Sequence, residues 1–560
     1  MSPTSHPREP SPPGGRTHPA RWERLGRGVA GAAVLIGLVT ILARAAGFGR
    51  YLVFARTVET GCLSTAYFTA NQVPNIVFEV VAGGALAGAV VPVLASAASR
   101  SPGEADARTE VDRVTSALLT WVLLLLVPFT LLVIVFASPI ASFLVGSPPG
   151  CDPAATVEVT ARMLVVFAPQ IPLYGLAVVL YGVLQAHRRF AGPALAPLVS
   201  SLVVMAAYVV FVPLSGGVDD PAGVPRPAEL ALSVGTTLGV AALVLTVLPA
   251  TAGLRPRIRP ALAFPPGVGT RVRRLALAGL AALLAQQVST VVVVRLANAE
   301  GGAGALTAYN YAWAIFMVPY AVLAVPIATS AFPVLSARAS AGEEDGFATL
   351  TASATRAVVL VSAAAAGILA AVSAPVARVF LDGTHSQVDP GNFAAAVALF
   401  APGLVGYGLV THLGRVLYAR GRGRTAAVGT VAGWCAVIAV QTALTLTLPR
   451  EWTVGGLALG MTAGMTVGGG LLLVSVARAC GRPALAGLAR AGLAAVLGGS
   501  AAFGTGYAVA GLFAGAGPVT SVFAAAGAAL VSGAAFVAVA YLVDPRDLRA
   551  LLRRFAGGTR

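Results

Sequence analysis

The sequence predicts an all-α integral membrane protein of about 14 transmembrane helices, arranged as two parallel six-helix lobes plus two extra C-terminal helices. Three observations predict it. Apolar runs long enough to cross a bilayer recur along the chain. Arginine gathers on alternate loops between those runs. One polar-then-apolar phrase is written twice at a nearly constant offset.

The runs come first. Of 560 residues, 57% are hydrophobic and 11% charged, and the mean hydropathy is +0.82. Soluble domains carry about 25% charged residues, and roughly 20 apolar residues suffice to span a bilayer. Bounded by Pro, Gly or charge, the runs lie near residues 28–56, 65–98, 114–138, 161–186, 193–214, 228–250, 275–297, 305–336, 354–380, 393–419, 425–448, 454–477, 491–513 and 519–543. They are numbered below as spans 1 to 14. The first, second and eighth exceed a straight crossing, so tilt or a break is expected there.

The charges fix the topology. The net charge is +16, and all 38 basic residues are Arg. Without lysine there is no P-loop or Schiff-base lysine. The two tails and alternate loops hold 29 of the arginines, whereas the loops of the other side hold only Arg226 and Arg450. Cytoplasmic loops collect Arg, so the chain is expected in the plasma membrane with both termini cytoplasmic. The basic excess then serves topology and anionic lipid headgroups, and nucleic acid is not a partner. Residues 1–27, rich in Pro and Arg, read as a disordered cytoplasmic tail. Residues 251–274 read as a basic cytoplasmic linker and residues 544–560 as a basic cytoplasmic tail.

Enzyme chemistry is not supported. The loops of the Arg-poor side are short, and "GSPPGCDPAA" and "LDGTHSQVDPGN" offer single Asp residues without partners. No paired-carboxylate, nucleophilic or metal constellation is written, and no metal or cofactor is expected. Cys62, Cys151, Cys435 and Cys480 are scattered, so their spacing supports neither zinc nor a disulfide. His412, alone on an apolar helix, reads as a packed side chain.

The repeat organises the spans. "TAYFTANQVPN" opens span 2 at Thr65, and "TAYNYAWAIFMVP" opens span 8 at Thr307. "VVPVLASAAS" closes the first at Ser99, and "AFPVLSARAS" closes the second at Ser340. "LQAHRRFAGPA" follows span 4, and "LYARGRGRTAA" follows span 10. Spans 1–6 (residues 28–250) and spans 7–12 (residues 275–477) therefore read as parallel lobes. Such lobes place a substrate site between them.

Polar groups at bilayer depth mark that site, because a buried charge costs about 2.5–3.5 kcal/mol unless it faces a cavity or a partner. Arg56, Arg162, Arg295, Arg378 and Arg415 sit near helix ends, where snorkelling accounts for them. Arg44 and Arg50 lie mid-span in "ILARAAGFGRYLVFAR", and guanidinium suits phosphate. Six residues of ideal helix set them about 240° apart. A break at Gly47 or Gly49 would bring both into one cavity. Pro74 should break span 2, where Asn71, Gln72 and Asn75 can line a cavity and Glu79 is the deep carboxylate. A structural alternative pairs the two arginines with Glu79. On span 7, Gln286, Gln287, Ser289 and Thr290 could form an ion site, though interhelical hydrogen bonds are the commoner use of such residues.

At these residues the chain resembles the MurJ/MviN family, lipid II flippases of the multidrug/oligosaccharidyl-lipid/polysaccharide exporter superfamily, and is most like its actinobacterial branch. "ARAAGFGR", "TAYFTANQVPNIVFEVVAGGALAGAVVPVLA" and "YNYAWAIFMVPYAVLAVPIATSAFPVLS" carry the resemblance, with the span count. Arg44, Gly47, Phe48 and Arg50 match the family pattern. Tyr51, Phe78, Glu79, Gly83 and Ala314 depart from it by replacing charged positions, and Arg295 is a candidate to compensate. The resemblance implies movement of undecaprenyl-linked peptidoglycan precursor (lipid II) from the inner to the outer leaflet by alternating access. Arg44, Arg50, Arg295, Asn71, Asn75 and Glu79 would face its headgroup. Residues 491–543 would form a groove for the lipid tail, and an ion gradient or membrane potential would drive the cycle. Membrane lipids and cell-wall synthesis proteins are the implied partners. Export of another lipid-linked glycan, a drug antiporter of the same superfamily and a non-transporting cell-wall scaffold are the alternatives.

Overall fold

The computed structural model describes residues 21–81, 105–187, 189–254, 259–263, 268–515 and 517–546. Among them there is no strand, and 13 helices are long and apolar enough to cross a membrane. Span 2 supplies a further helix, Cys62–Phe78. Its remainder, including Gly83 and the closing phrase at Ser99, lies outside the described residues, as do residues 1–20, most of the C-terminal tail and parts of the 251–274 linker. The first helix, Arg21–Thr57, begins before the tail boundary expected at residue 27.

The repeat extends further than its wording. Span 3 is a long helix, Ala105–Val135, followed by a short one, Ala137–Val145. Span 9 repeats this as Glu344–Ala371 and Ser373–Leu381. Span 4 starts on an Asp–Pro cap and divides at "FAP" into Pro153–Phe167 and Gln170–Ala186. Span 10 does the same with Pro390–Phe400 and Gly403–Ala419. Asp152 accepts from the backbone N–H groups of Ala154 and Ala155, and Asp389 from that of Asn392. Each carboxylate so satisfies helix-start donors, with Pro at the position that needs none.

The irregularities of the long spans are related in the same way. Pro74 does not break span 2, because the helix runs through it to Phe78 and the disturbance appears as a π turn at residues 79–81. Span 8, Ala305–Pro319, passes through a π turn, Tyr320–Ala324, into Val325–Ala341. Span 1 has no such break. The helix is continuous past Gly47 and Gly49, and neither glycine has a left-handed φ. A Cβ on Gly47 would lie 4.0 Å from Ser201 Oγ on span 5, and one on Gly49 would meet nothing within 4 Å.

Spans 5 (Ala191–Ser215) and 6 (Arg226–Ala252) pair as an antiparallel hairpin. Spans 11 (Gly423–Thr447) and 12 (Thr453–Cys480) do likewise. The second pair is closely apposed at Gly433 and Gly468, where a Cβ on the first would lie 3.0 Å from the Cα of the second. Without a hydrophobic drive between helices in lipid, small residues at the contact let dispersion hold them. Span 13 (Leu488–Gly511) and span 14 (Pro518–Val543) pack together against span 9. They leave Val496, Tyr507, Phe523, Leu530 and Leu542 exposed, as suits a lipid-facing surface. Linker residues 259–263 lie along span 3, where the backbone N–H groups of Arg259 and Ala261 reach Ser116 and Thr120 and Trp121 Nε1 donates to Leu262 O.

The loops gather at two ends, as the arginine split requires. At the Arg-rich end, Arg420 pairs with Glu344, Arg356 Nη1 donates to Ala486 O at 2.5 Å, and Arg490 lies 3.0 Å from Asp544. At the Arg-poor end, Gln387 N donates to Thr60 O at 2.9 Å and Ala303 N to Pro149 O at 3.1 Å. Cys62 and Cys151 also meet there as a disulfide, with Cα atoms 5.7 Å apart. This corrects the reading from cysteine spacing. The two lie 89 residues apart and become neighbours only when two loops of one end fold together.

Four of the arginines assigned to snorkelling have protein partners instead, among them Arg415, whose Nη1 donates to Thr411 O at 3.0 Å. Arg56 donates to Asp382 O and Val379 O at 2.6 Å each. Arg162 pairs with Glu158 and, at 2.7 Å, with buried Glu229. Arg378 Nε donates to Ser521 Oγ at 3.0 Å.

Candidate functional site

A cavity of about 50 Å³ lies where the two halves meet. Span 1 lines it with Arg50, Tyr51 and Phe54, and span 2 with Phe68, Asn71, Gln72 and Asn75. Span 5 adds Tyr208 and span 8 adds Asn310. A water occupies about 10–15 Å³ on this measure, so the cavity in this state admits a few waters. Arg50 lies seven residues from the end of span 1, or about 10 Å from the Arg-poor end at ~1.5 Å per residue.

The walls are held from behind. Tyr208 Oη lies 2.8 Å from Tyr67 Oη, which lies 2.8 Å from Thr236 Oγ1. Tyr174 Oη donates to Asn75 Oδ1 at 3.3 Å, and Asn310 Nδ2 to Leu306 O at 2.8 Å. Arg50 lies over the ring of its neighbour Tyr51, 5.5 Å from the centroid. Among the described residues no ion pair joins Arg50 or Arg44 to Glu79 or to any other carboxylate. Asn71 Oδ1 is buried with no described partner. The lining thus offers one permanent cation, four carboxamides and two phenols, with no carboxylate. Its charge favours an anion, and its amides can hydrogen-bond hydroxyl and amide groups around that anion.

Toward the Arg-poor end the cavity is covered by bonds between the halves. Thr307 Oγ1 donates to Ser64 Oγ and Gly304 N to Thr65 Oγ1, each at 2.9 Å. Buried Asn298 donates to Thr69 Oγ1 and Leu144 O, each at 3.0 Å. The repeated phrases therefore face each other across the seal.

Not every residue singled out from the sequence joins this cavity. Arg50, Asn71, Gln72 and Asn75 do. Arg44 does not, because the unbroken helix leaves it exposed and turned away. Glu79 lies in the π turn, exposed and outside the lining. Arg295 sits near the Arg-poor end of span 7 (Val268–Leu296), its guanidinium 5.6 Å from the ring centroid of Phe143. Gln286, Gln287, Ser289 and Thr290 stand elsewhere on span 7. Thr290 Oγ1 donates to Gln286 O at 3.1 Å, and Gln287 Nε2 is buried without a described partner. No group of three or more metal-ligating side chains occurs among the described residues.

Sequence reasoning did not select Tyr208, Phe54, Phe68 or Asn310. Tyr208 and Phe54 carry no local signal in apolar helices. Asn310 did carry one, because it stands in the second phrase where Phe68 stands in the first, and both line the cavity.

Two related helical halves around a polar cavity, with a pair of helices appended, define a multi-pass transporter. The family profile described as "Lipid II flippase MurJ" matches residues 54–525. The chain belongs to the MurJ family. A probable lipid II flippase MurJ of Rhizobium tropici is 26% identical over 392 residues, covering 69% of this chain and 70% of that protein. Lipid II flippase MurJ of Burkholderia cenocepacia is 27% identical over 398 residues, covering 70% and 73%. Among solved structures, "Lipid II flippase MurJ, inward closed conformation" superposes with a TM-score of 0.68 at 19% identity, over 93% of this chain and all of that one. An inward-facing multidrug resistance MATE family transporter of the MOP superfamily superposes at 0.62 and 17% identity, over 79% and 94%.

Proposed function

We propose that this protein moves lipid II from the inner to the outer leaflet of the plasma membrane by alternating access. The observation that carries this reading is the cavity between the halves, with Arg50 facing carboxamides and no carboxylate in its lining. The pyrophosphate of the substrate engages Arg50, and its sugar and peptide groups engage Asn71, Gln72, Asn75 and Asn310. The Arg-rich end faces the cytoplasm with both termini, and the Arg-poor end faces outward; the arginine partition supports this. In the present state the outward end is closed by the Ser64–Thr307 and Thr65–Gly304 bonds. A water-sized cavity admits the headgroup only after the halves part at the inner end. Arg44, nearer that end and exposed, meets the incoming headgroup before Arg50 does. The tail stays in lipid beside spans 13 and 14. An ion gradient or the membrane potential drives the cycle.

A cationic-drug antiporter on the same fold would need acidic cavity groups, and the lining contains none. The test is lipid II exposure at the outer leaflet of cells depleted of this protein and re-supplied with wild type or Arg50→Ala. Restoration by wild type alone supports the reading. Restoration by both removes the anion site. Exposure that never falls on depletion removes the transport role.

A further inference from the structure

The seal at the Arg-poor end contains one element that the transport reading does not use. The loop after the short helix Ala137–Val145 belongs to the first half, yet it rests on the second half at three points. Pro149 O accepts from Ala303 N at 3.1 Å. The same oxygen lies 2.6 Å from where a Cβ on Gly302 would stand, and Gly302 has a φ of +76°, so only glycine fits beneath the loop. The guanidinium of Arg295 fills the space above Gly146, with Nη1 2.3 Å from that glycine's would-be Cβ. The Oε1 atom of Gln387 lies 3.8 Å from the corresponding position at Gly150. Cys151, the next residue, is bonded to Cys62, the first residue of the span 2 helix. Two and three residues on, Ser64 and Thr65 make the bonds to Thr307 and Gly304.

We propose that the Cys62–Cys151 bridge joins this loop and the first turn of span 2 into one latch that holds the outer end shut, and that reducing the bridge loosens the latch. Without the bridge, each part must be ordered on the second half separately, and loop ordering opposes closure. With it, docking of one part orients the other. The bridge forms by exchange of the two thiols with a disulfide-bearing oxidant, which leaves as a dithiol. A dithiol reductant reverses the exchange and leaves as a disulfide, so electrons and protons balance in both directions. The outward orientation of this end, which rests on the function proposed above, puts the pair where such oxidants operate.

The test is hydrogen exchange of the full-length protein in lipid nanodiscs, with Cys435→Ser and Cys480→Ser removing the other thiols. Peptides covering residues 300–306 report the Ala303 and Gly304 amides and need no substrate, so the result stands apart from the lipid II reading. Mass spectrometry without reductant should first find the Cys62 and Cys151 peptides linked. Dithiothreitol should then speed exchange at residues 300–306 several-fold while leaving the span 11 and 12 helices unchanged. Adding Cys62→Ser and Cys151→Ser should give the fast rate and abolish the response to dithiothreitol. Free thiols in the untreated protein, or equal exchange with and without dithiothreitol, would overturn the proposal. The reduction arm starts from folded protein, so it decides the matter even where the serine variant fails to fold.

Discussion

The two copies of the repeated phrase agree at their starts and diverge one turn later. Thr65 and Thr307 open equivalent helices, and each contributes to a bond across the seal. Beyond them, span 2 presents Asn71, Gln72 and Asn75 to the cavity. The matching positions of span 8 are Trp313, Ala314 and Met317. Trp313 stacks on Phe316 with centroids 5.4 Å apart and packs on Phe400 and Tyr407. Symmetry is kept where the halves bond to each other at the seal and given up where one half lines the cavity. One half supplies hydrogen-bonding groups and the cation. The other lines the cavity with a single amide, Asn310, and packs its matching aromatic, Trp313, within its own half.

That contrast can be broken from the polar side with the largest effect. Arg50→Ala should reduce lipid II delivery to the outer leaflet by about tenfold or more, since hydrogen bonds to a charged group contribute about 1.5–3 kcal/mol. Membrane insertion should stay normal, as checked by the amount of folded protein in the membrane. Asn71→Leu keeps the volume and removes the unpaired buried acceptor. It should lower delivery roughly fivefold, as expected for one hydrogen bond of about 1 kcal/mol. Asn310→Phe restores the symmetry of the two phrases and should inhibit by a similar factor, by filling the cavity. Arg44→Ala should have a smaller effect, about threefold, because an exposed charge is screened. Thr307→Val, on the conserved side of the comparison, should leave headgroup affinity unchanged. It should raise labelling of the outer end from outside by about fivefold or less, through loss of one bond.

Much of this was legible in the sequence, for identifiable reasons. The succession of membrane-spanning helices follows from bilayer thickness, which acts locally on the chain. Arg50, Asn71, Gln72 and Asn75 could be selected because polar groups at bilayer depth need a reason to be there. Span 1 was read less well. Two glycines beside Arg50 suggested a hinge, yet the helix is continuous, so Arg44 and Arg50 remain on different faces. Glycine permits a break without requiring one. The disulfide was invisible because its partners belong to different loops. Tyr208 and Phe54 acquire their roles only when spans 1, 2 and 5 meet, and nothing within either helix announces that.

In the proposed function, Arg50 and its neighbouring amides hold the anionic headgroup of a lipid-linked substrate. The most direct measurement is native mass spectrometry of the purified protein with lipid II and, separately, with undecaprenol, which has the tail without the pyrophosphate. Wild type should retain lipid II well over undecaprenol, and Arg50→Ala should lose that preference while binding undecaprenol as before. Equal retention of lipid II by wild type and Arg50→Ala would show that Arg50 does not hold the headgroup.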